Sequence, residues 1–209
     1  MIKLFILFFA FTLIFMSVTE RFRTYAMLIR IQGFLLFLIS FYLHNDISFL
    51  NMVFVVLETL IFKAVLLPYL LYRIIRKTGI ARVHKNSMPI FYSAMLTIVA
   101  LLVSVAVAHS MSDPKIDESF LAISIFTMLT GLLLMITHKR LFSHMVGFLV
   151  IENAVFLFSL AAGTEMPMLI NTGILLDIFI SVLILTFFIT RVNNSALSSD
   201  NESMSQLRD

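Results

Sequence analysis

SFLAISIFTMLTGLLLMITHKRLFSHMVGFLVIENAVFLFSLAA, residues 119–162, decides the fold. Two apolar runs, 119–137 and 143–162, flank a short basic turn that contains His138, Lys139 and Arg140. Each run is close to the roughly 20 residues that a helix needs to cross a hydrocarbon core about 30 Å thick. Neither run alternates in polarity, as the strands of a membrane barrel would. Inside a bilayer a helix satisfies its own backbone hydrogen bonds. The stretch therefore reads as a hairpin of two transmembrane helices.

Working outward, five more runs of the same kind lie at about 2–19, 26–43, 47–72, 89–109 and 168–190. The expectation is an all-α membrane protein with seven transmembrane helices, forming one domain over residues 1–192. Composition agrees: 60% of the 209 residues are apolar and 13% are charged, against about 25% charged in a soluble domain. No small-x-small cleavage motif precedes Thr19-Glu20-Arg21, so the first run reads as a retained helix. Residues 193–209 are rich in serine, asparagine and aspartate and are expected to form a disordered cytoplasmic tail.

Lysine and arginine give the orientation. Eleven of the fifteen fall in gaps that share one side: Arg21, Arg23, Arg73, Arg76, Lys77, Arg82, Lys85, Lys139, Arg140, Arg191 and Arg208. The opposite side holds Lys3 and Lys115 beside Asp46, Asp113, Asp117, Glu118 and Glu165. This asymmetry predicts the N-terminus outside and the C-terminus in the cytoplasm. The net charge of +3 is thus a topology signal rather than a nucleic-acid footprint.

Cysteine is absent, which removes disulfides, zinc knuckles, iron–sulfur ligands and c-type haem attachment. The six glycines are scattered, so there is no phosphate-cradling loop. His44, His84, His109 and His138 fall in loops or at helix ends and His144 starts a helix, positions that read as interfacial rather than as a cofactor pair. Neither cofactor nor metal is expected, and no nucleophile–base constellation points to an enzyme.

The informative residues are charges inside the membrane. Lys63 lies about 15 Å from Arg73 along helix three, Glu152 about 14 Å into helix six, and Asp177 about 14 Å into helix seven. Glu58 shares helix three with Lys63. Five residues turn an α-helix by about 500°, which puts the two on different faces. Each ionised residue at a helix centre costs about 2.5–3.5 kcal/mol of insertion free energy. Such residues face the bundle interior by default and mark an ion or proton path. The bland reading is a protonated acid that serves only as a hydrogen-bonding group, and it weighs most on Glu58. Arg30, about one turn inside the boundary, is explained by snorkelling.

An internal repeat is also legible. TERFRTYAM, Gln32-Gly33-Phe34 and Leu57-Glu58 in helices one to three match THKRLFSHM, Glu152-Asn153-Ala154 and Leu176-Asp177 in helices five to seven. One helix between two three-helix units makes this a parallel repeat, as in some transporters.

Residues 131–192, with a helix, a tight basic turn, a helix carrying Ile151-Glu152-Asn153 and a last helix with a central acid, resemble the K subunit of bacterial complex I (NuoK) and its relatives in multisubunit cation/proton antiporters. With the four preceding helices the chain resembles component E of formate-hydrogenlyase-type membrane hydrogenases (HyfE-like). Lys63-Ala-Val-Leu66-Leu-Pro68 is similar to that family's K-x-x-L-x-P. The resemblance implies a bacterial inner-membrane subunit of a redox-driven pump, set between a hydrophilic redox arm and antiporter-like subunits. It implies that Glu152 and Asp177 belong to a hydrated relay; charge physics, rather than the resemblance, makes Lys63 the expected electrostatic switch, since a charged lysine stabilises ionised neighbours. Aspartate at 177 stands where NuoK has glutamate, and Glu58 has no counterpart. Hydrogenase chemistry does not carry over, because the metal centres of such complexes lie in other subunits. Two other classes stay open on the residues alone, a stand-alone secondary transporter and a structural membrane anchor.

Overall fold

A computed structural model describes residues 1–43, 53, 56–78, 89–111, 116–138, 141–162, 173, 180 and 184; for Leu57, Glu58, Ile74, Lys77, Thr78 and Leu141 it describes the backbone alone. The helices are α1 (Ile2–Val18), α2 (Phe22–Leu43), a π-helical stretch (Leu57–Leu66) that runs into α3 (Leu67–Thr78), α4 (Ile90–Ser110), α5 (Glu118–Thr137) and α6 (Leu141–Ala161). Among the described residues, α2, α4, α5 and α6 are long and apolar enough to cross a membrane. α1, at 17 residues, is at the short end of the spanning range. Most of the expected seventh helix, with Asp177, the tail 193–209 and most of the start of helix three lie outside the described residues.

The distribution of side chains is that of a membrane-embedded protein. α4 buries one stripe, Ser93, Thr97, Ala100, Ser104 and Ala108, and exposes Phe91, Met95, Ile98 and Leu102. α1 exposes Leu4, Leu7, Phe8, Phe11 and Phe15 while Thr12 and Ser17 are buried. Small and hydroxylated residues inside, with large apolar ones outside, are how helices pack when lipid surrounds them. Several buried hydroxyls are satisfied along their own helices: Thr97 donates to Ser93 O at 2.9 Å, Thr127 to Ile123 O at 2.6 Å and Thr130 to Phe126 O at 2.8 Å. Ser93 instead reaches Ser17 O on α1 at 3.0 Å, which ties α4 to the bundle.

α5 and α6 form the hairpin that the opening stretch foretold. Asp117 caps α5, accepting from the Ser119 and Phe120 amides at 2.8 and 3.3 Å. Its own N–H donates to Ala161 O at 3.2 Å, which closes the hairpin at the far end of α6. In the half nearer the basic turn, Gly131 and Gly147 let the backbones touch. A Cβ on either would stand 2.7 Å from the other's carbonyl oxygen.

Helix three departs from expectation. Its described end is Thr78, between one and two turns beyond the expected stop at residue 72, and its central part is π-helical. The Leu67 N–H donates to Phe62 O, the i to i+5 bond of that geometry. Pro68, which has no N–H to give, stands where the π-helical stretch runs into α3. Because π-helical residues five apart are linked by a backbone bond, positions 58 and 63 come close to stacking. The α-helical argument that separates their faces does not hold in this segment.

Candidate functional site

Thr12 on α1, Gln32 on α2 and Glu152 with Asn153 on α6 are each about 15 Å along their helices, at mid-span. Gln32 has no exposure, Asn153 is 3% exposed and Glu152 is 4% exposed. The amides form a directed chain across three helices. Asn153 Nδ2 donates to Gln32 Oε1 at 3.2 Å, Gln32 Nε2 donates to Thr12 Oγ1 at 3.1 Å, and Thr12 donates to Phe9 O at 2.7 Å. Thus Gln32-Gly33 and Glu152-Asn153, matched to one another in sequence, meet in space.

Lys63 reaches the same layer from helix three. Gly33 makes this possible: a Cβ there would stand 2.6 Å from the Lys63 carbonyl carbon and 2.7 Å from Ala64 N, so the π-helical backbone lies directly on α2. Lys63 is 2% exposed, and its Nζ stands 4.8 Å from the centroid of the Phe156 ring on α6. Phe156 follows Glu152 by four residues, so the two share a face of α6. The lysine and glutamate expected to form a site are therefore both buried and are brought to one face of one helix. A desolvated cation–π contact is worth about 2 kcal/mol, which offsets much of the cost of placing the ammonium there. The backbone of Glu58 lies in the π-helical stretch. Its side chain and all of Asp177 fall outside the described residues.

A second cluster ties the two basic turns together. Tyr25 donates to Thr19 O at 2.9 Å and its oxygen is 3.4 Å from His138 Nε2. The Phe22 and Phe142 rings meet edge-on at 4.4 Å. Thr137 gives its own proton to Leu133 O, so His138 Nδ1, at 2.8 Å from Thr137 Oγ1 and 3.2 Å from Leu134 O, faces two acceptors and carries the proton of the neutral ring. Burial pushes the His138 imidazole below its ordinary value, opposed by the bond to Leu134 O, reinforced by His144 and opposed by Glu20. The interfacial expectation thus fails for His138, which is 3% exposed. It holds for His109, whose Nδ1 is 3.0 Å from Glu118 Oε1 with both side chains largely exposed.

The charges sort by end. Exposed Arg21, Arg23, Arg73 and Arg76 gather where α1 ends and α2 begins, with Tyr72 donating to Arg23 O at 3.4 Å. Arg30 is exposed and lays its guanidinium 5.5 Å from the Tyr72 ring centroid, a more specific placement than snorkelling alone. Asp117 and Glu118 mark the opposite end.

Reasoning from charge alone missed Gln32, Asn153, Thr12 and Phe156 as site residues. The signal available was that an uncharged amide in mid-span also needs a partner inside the protein. No group of three or more histidine and acid side chains among the described residues could hold a metal. Searches against protein-family models, curated proteins and solved structures find no match to this chain.

Proposed function

We propose that this chain is a seven-span subunit of a redox-driven ion pump in a bacterial cell membrane, contributing a lysine and carboxylates to a proton or sodium path. One observation carries the reading: buried Lys63 stands over Phe156, one helical turn from buried Glu152, at mid-span. Ionisable groups in that position are costly and are characteristic of ion and proton pathways. In this proposal Glu152 passes protons through water towards Asp177, and the charge state of Lys63 sets whether the neighbouring carboxylates hold or yield them. Glu58 is the fourth candidate in the path. The basic end faces the cytoplasm, following the distribution of lysine and arginine.

The resemblance to component E of membrane hydrogenases and to NuoK supplies the partners: antiporter-like membrane subunits on one side and a hydrophilic redox arm on the other. Helices one to three and five to seven are then two parallel copies of one unit, whose centres touch through Asn153 and Gln32. The test is a mild-detergent pull-down of the tagged chain from its native membrane. Co-purification of antiporter-like chains with iron–sulfur or nickel-site chains is expected. Recovery of the chain alone would overturn the assignment and favour a stand-alone transporter.

A further inference from the structure

Away from the Lys63–Glu152 layer, a groove of about 240 Å³ lies between α1, α4 and α5. Small side chains, Ala10, Ser104 and Ala122, leave the space. Its walls are apolar, and the Ser104 hydroxyl is turned onto its own helix, donating to Leu101 O at 2.7 Å. The groove opens outward, since Leu7 and Val105 on its rim are 70% and 51% exposed. From Lys3 to Ala10 it runs along α1 for about 10 Å, within the roughly 15 Å of hydrocarbon that one leaflet of a 30 Å core provides.

One end is polar, with both signs of charge. Lys3 and Ser119 line it, in the first turns of α1 and α5. Lys3 is exposed, and among the described residues no carboxylate lies within ion-pair distance of it. Next to Ser119 stand exposed Asp117 and Glu118. Asp117 Oδ1 takes the first-turn amides, so a bound phosphate would meet Lys3 and the Ser119 hydroxyl rather than the helix backbone. Glu118 uses Oε1 towards His109, which leaves its second oxygen to accept from a cation.

We propose that this groove binds one glycerophospholipid whose headgroup carries both a phosphate and a primary ammonium. An acyl chain lies between α1 and α4 against α5, the phosphate sits at Lys3 and Ser119, and the ammonium donates to Glu118, since Asp117 is engaged as the cap of α5. Two adjacent carboxylates disfavour an anionic headgroup such as phosphatidylglycerol. A quaternary ammonium, with no N–H to give, cannot make the last contact. The site rests on the chain being membrane-embedded and does not depend on what ion it moves.

The test is native mass spectrometry of the purified full chain reconstituted with phosphatidylethanolamine, phosphatidylcholine or phosphatidylglycerol, scoring retained lipid. Phosphatidylethanolamine should be retained about fivefold more than either of the others, the ratio expected of one interfacial charge contact. Glu118→Gln should erase the preference over phosphatidylcholine, and Lys3→Gln, on an exposed side chain, should lower retention of all three. Ala122→Phe, which fills the groove, should abolish retention; Ala10→Leu does the same from the facing helix should the first variant not fold. Equal retention of the three lipids, a preference for phosphatidylglycerol, or unchanged retention in a folded groove-filling variant would overturn the proposal.

Discussion

Gly33→Ala is a perturbation whose sign is fixed by which atoms surround the new methyl group. The added Cβ would lie 2.6 Å from the Lys63 carbonyl carbon, 2.7 Å from Ala64 N and 2.9 Å from Lys63 O. Ordinary contact begins near 3.4 Å, so α2 and the π-helical stretch must part by about 0.8 Å, the difference between the two distances. All three obstructing atoms are backbone, so no rotamer change relieves the clash. Overpacking of this kind costs about 1–3 kcal/mol. Alanine in a helix interior returns at most about 1 kcal/mol relative to glycine. With three backbone atoms inside 3.0 Å the upper part of that cost, about 2–3 kcal/mol, applies, and the net expectation is a loss of about 1–2 kcal/mol, or a fall in Tm of about 2–8 °C for a chain of this size. Far-ultraviolet circular dichroism melts in detergent would measure it. Gly173→Ala is the internal control. Among the described residues its Cβ would meet nothing nearer than Ser159 Cβ at 3.8 Å, so Tm should hold or rise. A Gly33→Ala protein as stable as the wild type would refute the backbone contact that places Lys63.

The amide chain gives a second prediction. A double-mutant cycle on Gln32→Leu and Asn153→Leu should return a coupling of about 0.6 kcal/mol, and less than about 2 kcal/mol, the range measured for hydrogen bonds between membrane helices; zero coupling would mean that the 3.2 Å bond is not made. His138 gives a third, with the sign set by its lowered proton affinity in the folded state. Above the unfolded-state value of about 6.5 both states are neutral at this ring and stability is flat. As pH falls below 6.5 the unfolded chain binds a proton that the folded chain resists, so stability declines until the folded-state value is passed. Tm measured from pH 7.5 downwards, an arbitrary starting point about one unit above the unfolded-state value, should fall more for the wild type than for His138→Asn; parallel curves would contradict the burial argument.

How much was legible follows from what each feature depends on. The helices depend on local composition, so their ends fall within a few residues of expectation at α1, α4, α5 and α6. The described part of helix three is legible as a helix but not as a π-helical one, because the bond from Leu67 N–H to Phe62 O leaves no periodic mark in the sequence. Lys63 and Glu152 stand out as candidates because a charge in an apolar run is conspicuous, and both are buried. Gln32 and Asn153 are legible as repeat markers, yet their contact spans 121 residues and is set by how α2 crosses α6. The glycines read as scattered in sequence; Gly33, Gly131 and Gly147 acquire meaning only where two backbones meet. The burial of His138 similarly depends on two distant turns packing together through Tyr25, Phe22 and Phe142.

The central claim is that the mid-span Lys63–Glu152 layer moves ions. The most direct test is redox-driven ion uptake by inverted membrane vesicles carrying Glu152→Gln, with assembly followed by co-purification of the partner chains. The account predicts that uptake is lost while the complex assembles at wild-type levels. Wild-type uptake in a fully assembled Glu152→Gln complex would contradict it and leave Glu152 a structural hydrogen-bonding group.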